Sequence, residues 1–200
     1  AAGQWLAHFH EFSINAEPSA VTRGLFDGVE TEAIALGRRG RRIAHIVWHL
    51  AQSDVFEGSL LQRTAGLHCD FKPANLIATP SGIFAIDFQS SKPAGVYFDL
   101  AHFLNAATID AAKTWRLALN LRMPSLGRAF VSGYASAIGP IDPLVLAMYR
   151  VYDLSRYMLQ HGGTNSARIM GTIKWWVWER LLEARFREFQ SLRRERADLR

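Results

Sequence analysis

The 200-residue chain has little cysteine and no long hydrophobic run. Its single cysteine, Cys69, excludes an internal disulfide. No apolar run reaches the roughly 18 residues that a membrane-spanning helix needs. No secretory leader, with a basic start and an apolar middle, opens the chain, and we therefore expect a cytoplasmic protein.

The formal net charge of +5 arises mainly from two basic clusters, at residues 38–42 and 193–196. Neither cluster is interleaved with aromatic residues that could stack on bases, and neither lies in a known nucleic-acid-binding motif. The charge therefore gives little support to a nucleic-acid partner. With 49% apolar residues the chain can bury one substantial core, and we expect a single domain over residues 1–200.

The spacing of apolar residues predicts a mainly α chain with one small β-hairpin. Only residues 76–86 indicate a sheet, because two short apolar runs flank the turn-forming segment Thr79–Gly82. Helices are predicted from residue 2 to about 11, through residues 25–36, and over residues 45–61, 99–107, 111–121, 126–138, 143–160 and 167–194.

Three polar side chains flank the predicted hairpin. Asp70 and Asn75 precede it and Asp87 follows it, and a hairpin returns the chain to its start, so the three can face one another. A carboxylate such as Asp70 can orient a hydroxyl group and accept its proton, while Asn75 and Asp87 offer the hard oxygen ligands that Mg²⁺ prefers. Lys72 could neutralise charge on a phosphoryl group in transfer. This set of residues suits phosphoryl transfer from ATP.

The segment from His68 to Asn75 resembles the kinase catalytic loop HxDxxxxN. Asp87-Phe88 lies where kinases carry the metal-binding Asp-Phe-Gly, although Gln89 replaces the glycine. The chain is similar to aminoglycoside phosphotransferases, choline kinases and bacterial sugar kinases of one superfamily. It shares with them this replacement, the short spacing of the motifs, and the Phe98–Ala101 segment that follows closely.

The resemblance implies the C-terminal lobe of the protein-kinase-like α+β fold. It implies a catalytic loop at 67–76, a metal-binding segment at 83–91 and substrate-side helices at 99–200. Its cofactors would be ATP and Mg²⁺, and its substrate a small molecule with a hydroxyl group. The implied roles are a catalytic base for Asp70, metal and nucleotide binding for Asn75 and Asp87, and structural support of the loop for His68 and Asp99. Lys72 is a candidate catalytic residue from its place two positions after Asp70, and the alternative for it is a solvated loop lysine.

The strand-rich N-terminal lobe of kinases, with its glycine-rich phosphate loop, has no counterpart in the sequence. The chain has no initiator methionine and opens inside a predicted helix, and we therefore expect a fragment that needs the missing lobe in cis and that binds ATP poorly alone. The alternative function is a non-catalytic interaction module on the kinase scaffold. The oligomeric state is left open.

Three other features of the sequence are compatible with more than one role. His45 and His49 stand one helical turn apart, as metal-binding pairs do, but no acidic or cysteine partner lies near them in sequence. The tryptophans at 175, 176 and 178 are expected in a core or an interface more often than in an apolar substrate pocket. Residues 143–200 hold 11 Lys or Arg against 6 Asp or Glu, which argues mildly against a polycationic substrate.

Overall fold

The computed structural model describes residues 1–15, 17–56, 60–88, 93–112, 124–162 and 169–199. Its helices are α1 (Ala2–Glu11), α2 (Val29–Ala35), α3 (Arg41–Ala51), α4 (Tyr97–Ala112), α5 (Pro124–Ile138), α6 (Pro143–Gly162) and α7 (Ile169–Asp198). Its strands are β1 (Ser19–Ala20), β2 (Leu61–Gln62), β3 (Thr64–Gly66), β4 (Leu76–Thr79), β5 (Gly82–Ala85) and β6 (Pro93–Gly95). Most of the described chain is helical, in agreement with the prediction.

The chain forms two compact units, each built from two separate stretches of sequence. The first comprises Ala1–Ser19 and Gln62–Asp142, and the second comprises Ala20–Leu61 and Pro143–Arg200. All the predicted site residues belong to the first unit. The prediction of one kinase-like lobe over residues 1–200 stays a prediction.

The core of the first unit is formed where α1 packs against α5. Gly3, Leu6, Ala7 and His10 are all buried, and their spacing places them on one face of α1. A Cβ atom on Gly3 would meet the carbonyl oxygen of Phe130 in α5, so the two backbones approach closely only because this residue is glycine. This packing fixes α1 beside the predicted catalytic loop.

The predicted hairpin is confirmed as the antiparallel pair β4–β5, with Thr79 opposite Gly82 at the turn. The expectation that it forms the only sheet is wrong, because β3 and β6 form a second antiparallel pair, with Ala65 opposite Ala94. These strands consist largely of glycine, alanine and proline and carry no alternating apolar pattern. β3 leads directly into the predicted catalytic loop.

The second unit contains α2, α3, α6 and α7. The predicted helix over residues 45–61 is too long: α3 ends at Ala51, and the Ser53 hydroxyl donates to the carbonyl oxygen of Leu50 at 2.7 Å, which competes with further helical bonding. Trp175 is buried, whereas Trp176 is exposed and lines a cavity of about 550 Å³ with charged neighbours such as Glu179 and Arg180.

The later helices follow the predictions with shifted ends. α4 begins two residues before the predicted start and continues to Ala112. Residues 113–123, which contain most of the helix predicted over 111–121, lie outside the described residues, as does Gln89. Within the described ranges no helix combines the length and the apolar character needed to cross a bilayer.

Candidate active site

The loop that follows β3 is anchored by the carboxylate of Asp99, in the first turn of α4. The Asp99 side chain is completely buried, and it accepts hydrogen bonds from the backbone N–H groups of His68 at 2.7 Å and Cys69 at 2.9 Å. Cys69 has a φ of 64°, a left-handed conformation that costs a non-glycine residue about 1–3 kcal/mol. The two hydrogen bonds hold the loop in this strained conformation immediately before Asp70.

Asp99 is itself held by a buried histidine from α1. His10 Nε2 lies 3.1 Å from Asp99 Oδ2, and His10 Nδ1 lies 2.9 Å from the hydroxyl group of Tyr134 in α5. Burial and the nearby Asp99 carboxylate raise the pKa of Tyr134, so its hydroxyl remains protonated and can donate to His10. Both contacts are satisfied when the His10 ring donates from Nε2 to Asp99 and accepts at Nδ1 from Tyr134. Helices α1, α4 and α5 thus meet behind the loop.

The carboxylate of Asp70 lies at the end of this loop and is bound by two neighbours in sequence. Lys72 Nζ donates to both of its oxygens, at 2.9 Å to Oδ1 and 2.7 Å to Oδ2. Asn75 Nδ2 donates to Oδ2 at 2.9 Å and to the Asp70 backbone carbonyl at 3.0 Å. The carboxylate therefore has a fixed plane and a fixed orientation.

A third partner of Asp70 comes from α4. His102 Nε2 lies 3.1 Å from Asp70 Oδ1, with the two side chains 19% and 11% exposed. Burial raises the pKa of Asp70, but the hydrogen bonds from Lys72, Asn75 and His102, together with the charge of Lys72, outweigh it and lower that pKa. Asp70 is thus ionised at neutral pH.

Asp87 is brought to the same region by the hairpin. The N–H of Ile86 donates to the carbonyl oxygen of Asn75 at 3.0 Å, which places the backbone of Asp87 next to that of Asn75. Asp87 is exposed and has a φ of 62°, a second left-handed non-glycine residue beside the loop. Phe88 follows, and its ring stacks on His68 with centroids 4.2 Å apart.

The surroundings of His68 and Cys69 favour packing and support of the loop over a part in chemistry. The His68 ring is completely buried, and its Nδ1 accepts a hydrogen bond from the Asp70 N–H at 3.4 Å. Burial, and then the Asp99 carboxylate, raise the pKa of the Cys69 thiol, which disfavours the thiolate that a nucleophile would require.

The family model described as the phosphotransferase enzyme family matches residues 1–131, more than half of the chain. The chain belongs to this family. The resemblance of residues 68–75 and of the residues after the hairpin to this family is therefore confirmed. No curated protein sequence matches the chain.

Solved structures of glucosamine kinase share the fold of this chain. One crystal form matches with a TM-score of 0.63 at 12% identity, over 92% of this chain and 49% of the kinase. The complex of that kinase with glucosamine, ADP and inorganic phosphate matches with a TM-score of 0.63 at 14% identity, over 99% of this chain and 55% of the kinase. The chain thus spans about half the length of these solved kinases, and the predicted fold class is confirmed.

The predicted metal ligands of this chain fit a magnesium ion in their chemistry. Both hydrogen bonds of the Asn75 amide use Nδ2, which leaves the amide Oδ1 as a neutral oxygen ligand. Asp87 is exposed beside it and offers an anionic oxygen. Mg²⁺ is commonly held by one or two such protein oxygens, with water and phosphate oxygens completing the octahedron.

The structure brings Asp70, Lys72 and Asn75 into direct contact and places Asp87 beside Asn75 through the backbone. Sequence reasoning missed His10 and His102. For His10 the available signal was its position on the buried face of α1, and for His102 it was its place one turn after Asp99 on α4.

The histidine pair at 45 and 49 lies in the second unit. The two Nε2 atoms are 3.1 Å apart on an exposed face of α3. Among the residues that the structure describes, no group of three or more His, Cys, Asp or Glu side chains is arranged to hold a metal ion. The pair therefore has no third ligand of these types there.

Proposed function

We propose that this chain carries the catalytic lobe of an ATP-dependent phosphotransferase that moves the γ-phosphoryl group to a hydroxyl group of a small molecule. The observation that carries the proposal is the Asp70 carboxylate, ionised and oriented by Lys72 and Asn75. The family supports a phosphotransferase, and the site adds the residues that such chemistry needs.

In the proposed reaction the substrate hydroxyl lies against the Asp70 carboxylate. Its oxygen attacks the γ-phosphorus, the bond from that phosphorus to the ADP oxygen breaks, and the hydroxyl proton passes to Asp70 as the new bond forms. Asp70 binds that proton weakly because its pKa is low. Its main contribution is therefore to orient the hydroxyl and to receive the proton late, when the oxygen has become acidic.

Lys72 and the two predicted metal ligands act on the phosphate side. The ammonium group of Lys72 ends a flexible side chain that is 34% exposed, so it can turn from Asp70 toward the oxygens of the phosphoryl group. Asn75 and Asp87 would hold Mg²⁺, which neutralises phosphate charge when it is bound. Asp99 and His68 keep the loop in place behind these residues.

The substrate class is proposed to be a sugar, an aminoglycoside or an amino alcohol. The solved kinase that holds glucosamine and ADP makes an amino sugar a reasonable first compound, although the likeness to that kinase extends only to the fold. A panel of neutral sugars, amino sugars, aminoglycosides and amino alcohols, assayed with radiolabelled ATP, would identify the acceptor.

The test of the proposed function compares Asp70→Asn with Asp198→Asn, an exposed aspartate near the end of α7. We expect Asp70→Asn to lower the transfer rate by about 10²- to 10⁴-fold, the usual contribution of a positioned base. The Asp198→Asn rate should equal that of the wild type. Because the chain alone is expected to bind ATP poorly, both variants and the wild type are assayed with the N-terminal lobe present in cis. An unchanged rate in Asp70→Asn would then exclude this residue as the base. A two-lobed wild type that transfers phosphate to no hydroxyl compound would favour the interaction-module alternative.

A further inference from the structure

The hydrogen bonds of the Asp70 carboxylate leave it no vacant acceptor position. An ionised carboxylate has about four lone-pair sites, two on each oxygen. Oδ1 is bound by Lys72 at 2.9 Å and faces His102 Nε2 at 3.1 Å. Oδ2 is bound by Lys72 at 2.7 Å and Asn75 at 2.9 Å. A substrate hydroxyl can therefore donate to Asp70 only after one of these donors leaves.

Lys72 is the donor that can leave. It bonds to both oxygens from a flexible chain, and it is the most exposed of the three partners of Asp70, at 34% for its side chain. Asn75 is buried and also donates to the Asp70 backbone, and His102 is 19% exposed on a regular helix. Departure of Lys72 toward a phosphate would free one lone pair on each oxygen of Asp70.

We infer that His102 is the residue that keeps the Asp70 carboxylate in position when Lys72 leaves, an inference that rests on the proposed function. An ionised carboxylate only accepts, so His102 donates from Nε2. His102 then holds Oδ1 while Asn75 holds Oδ2. With one donor on each oxygen the carboxylate cannot rotate about its Cβ–Cγ bond, and its free lone pairs point to the place that the Lys72 ammonium has vacated.

Helix α4 gives this role a rigid support. Asp99 and His102 are separated by one turn of the helix and so lie on one side of it. Asp99 binds the loop backbone at His68 and Cys69, and His102 binds the side chain of Asp70. The same helix thus sets both the path of the loop and the direction of its reactive group. His102 is a positioning residue, because it acts through Asp70.

The kinetic test is made with the N-terminal lobe present in cis, and it compares two variants of similar size that differ in whether they keep an N–H donor. His102→Gln keeps an N–H donor near the position of Nε2, whereas His102→Met does not. We expect His102→Met to lower kcat by about 10- to 100-fold, since a misplaced reacting group has costs of this order, with the KM for the hydroxyl substrate nearly unchanged. His102→Gln should stay within about threefold of the wild type.

The matched control is the same pair of substitutions at His8, an exposed histidine of α1 that pairs with Glu11, and both should leave kcat unchanged. Circular dichroism checks that each variant is folded. If His102→Met and His102→Gln have equal kcat values, whether both are high or both are low, the hydrogen bond is not what positions Asp70 and the inference is wrong.

A second measurement does not depend on activity. The ring ¹⁵N resonances of His102 should shift in Asp70→Asn, which replaces the charged acceptor of its hydrogen bond. These resonances should change little in Asp87→Asn, which also removes one carboxylate charge but keeps the hydrogen bond between His102 and Asp70. Equal ¹⁵N shifts in both variants, or no shift in either, would show that His102 does not hydrogen-bond to Asp70. If the wild type with the N-terminal lobe in cis transfers no phosphate, the proposed function fails, and these resonances still decide whether His102 holds Asp70.

Discussion

The charge on Asp70 depends on a balance between two opposing effects. Burial raises its pKa, and the hydrogen bonds from Lys72, Asn75 and His102, with the charge of Lys72, lower it by more. A carboxyl group whose pKa is lowered by folding stabilises the fold above its ordinary pKa of about 4, and that stabilisation is lost as the pH falls through the folded value. The same contacts that favour the ionised form of Asp70 therefore also contribute to stability at neutral pH.

Lys72→Met should shift the balance between burial and hydrogen bonding toward a higher pKa of Asp70. The substitution removes two hydrogen bonds and the nearest positive charge from Asp70 but leaves its burial, so we expect the Asp70 pKa to rise from its lowered value. A ¹³C titration of the carboxyl group measures this directly. Lys174→Met, at an exposed position of α7, is the control and should leave the Asp70 titration unchanged. A wild-type titration curve in Lys72→Met would show that Lys72 does not set the pKa.

At the level of single residues, the sequence identified the groups that lie close together in the chain. Asp70, Lys72 and Asn75 fall within one loop, and Asp87 follows the hairpin that returns to it, so local geometry was enough to propose them. His10 and His102 contact Asp99 and Asp70 from other helices. Such contacts depend on how the helices pack, which the spacing of apolar residues does not specify.

Among the secondary-structure elements, predictability followed the strength of the local pattern. The β4–β5 hairpin carries apolar residues on both sides of a proline- and glycine-containing turn, and it was predicted. Strands β3 and β6 consist largely of small residues and pair across more than 25 intervening positions, so their pairing has no local signal. The end of α3 was missed because a serine side chain, rather than a proline or glycine, bonds to its last turn.

The contact between α1 and α5 offers a test at the scale of elements. Gly3→Ala would place a methyl group against the backbone carbonyl of Phe130, which cannot move without shifting α5, and we expect a loss of about 1–3 kcal/mol in the free energy of unfolding. Gly133 lies on the same contact, but a Cβ atom there would be 3.6 Å from its nearest neighbour, an ordinary packing distance.

Gly133→Ala is therefore the matched control. Alanine favours a helix over glycine by about 1 kcal/mol, so this variant should be as stable as the wild type or more stable. Urea unfolding of both variants measures the difference. Equal stability of Gly3→Ala and Gly133→Ala would show that the two helices do not approach as closely as described.

For the whole molecule, fold class was more predictable than the assembly of the elements. Abundant apolar residues at helical spacing were enough to predict a mainly α chain, and the loop motif identified the phosphotransferase family. Which segments of the chain form each unit could not be predicted from the sequence. The second unit joins residues 20–61 with residues 143–200, and the first joins the start of the chain with its middle. Helices such as α1 and α3 have an apolar face, but the sequence does not specify which face packs against which.

The binding of nucleotide by the chain as a whole offers a final test, directed at Asp87 and Asn75. If these residues hold Mg²⁺ between the protein and the phosphates, Mg²⁺ should tighten ADP binding by about tenfold, equivalent to about 1.4 kcal/mol, and chelation with EDTA should remove this gain. Asp87→Asn loses the anionic ligand and should bind ADP equally with and without Mg²⁺, whereas Asp27→Asn, at an exposed position of the second unit, should behave as the wild type. Amide chemical-shift titration measures even weak binding. A Mg²⁺ effect of wild-type size in Asp87→Asn would place the metal on other residues.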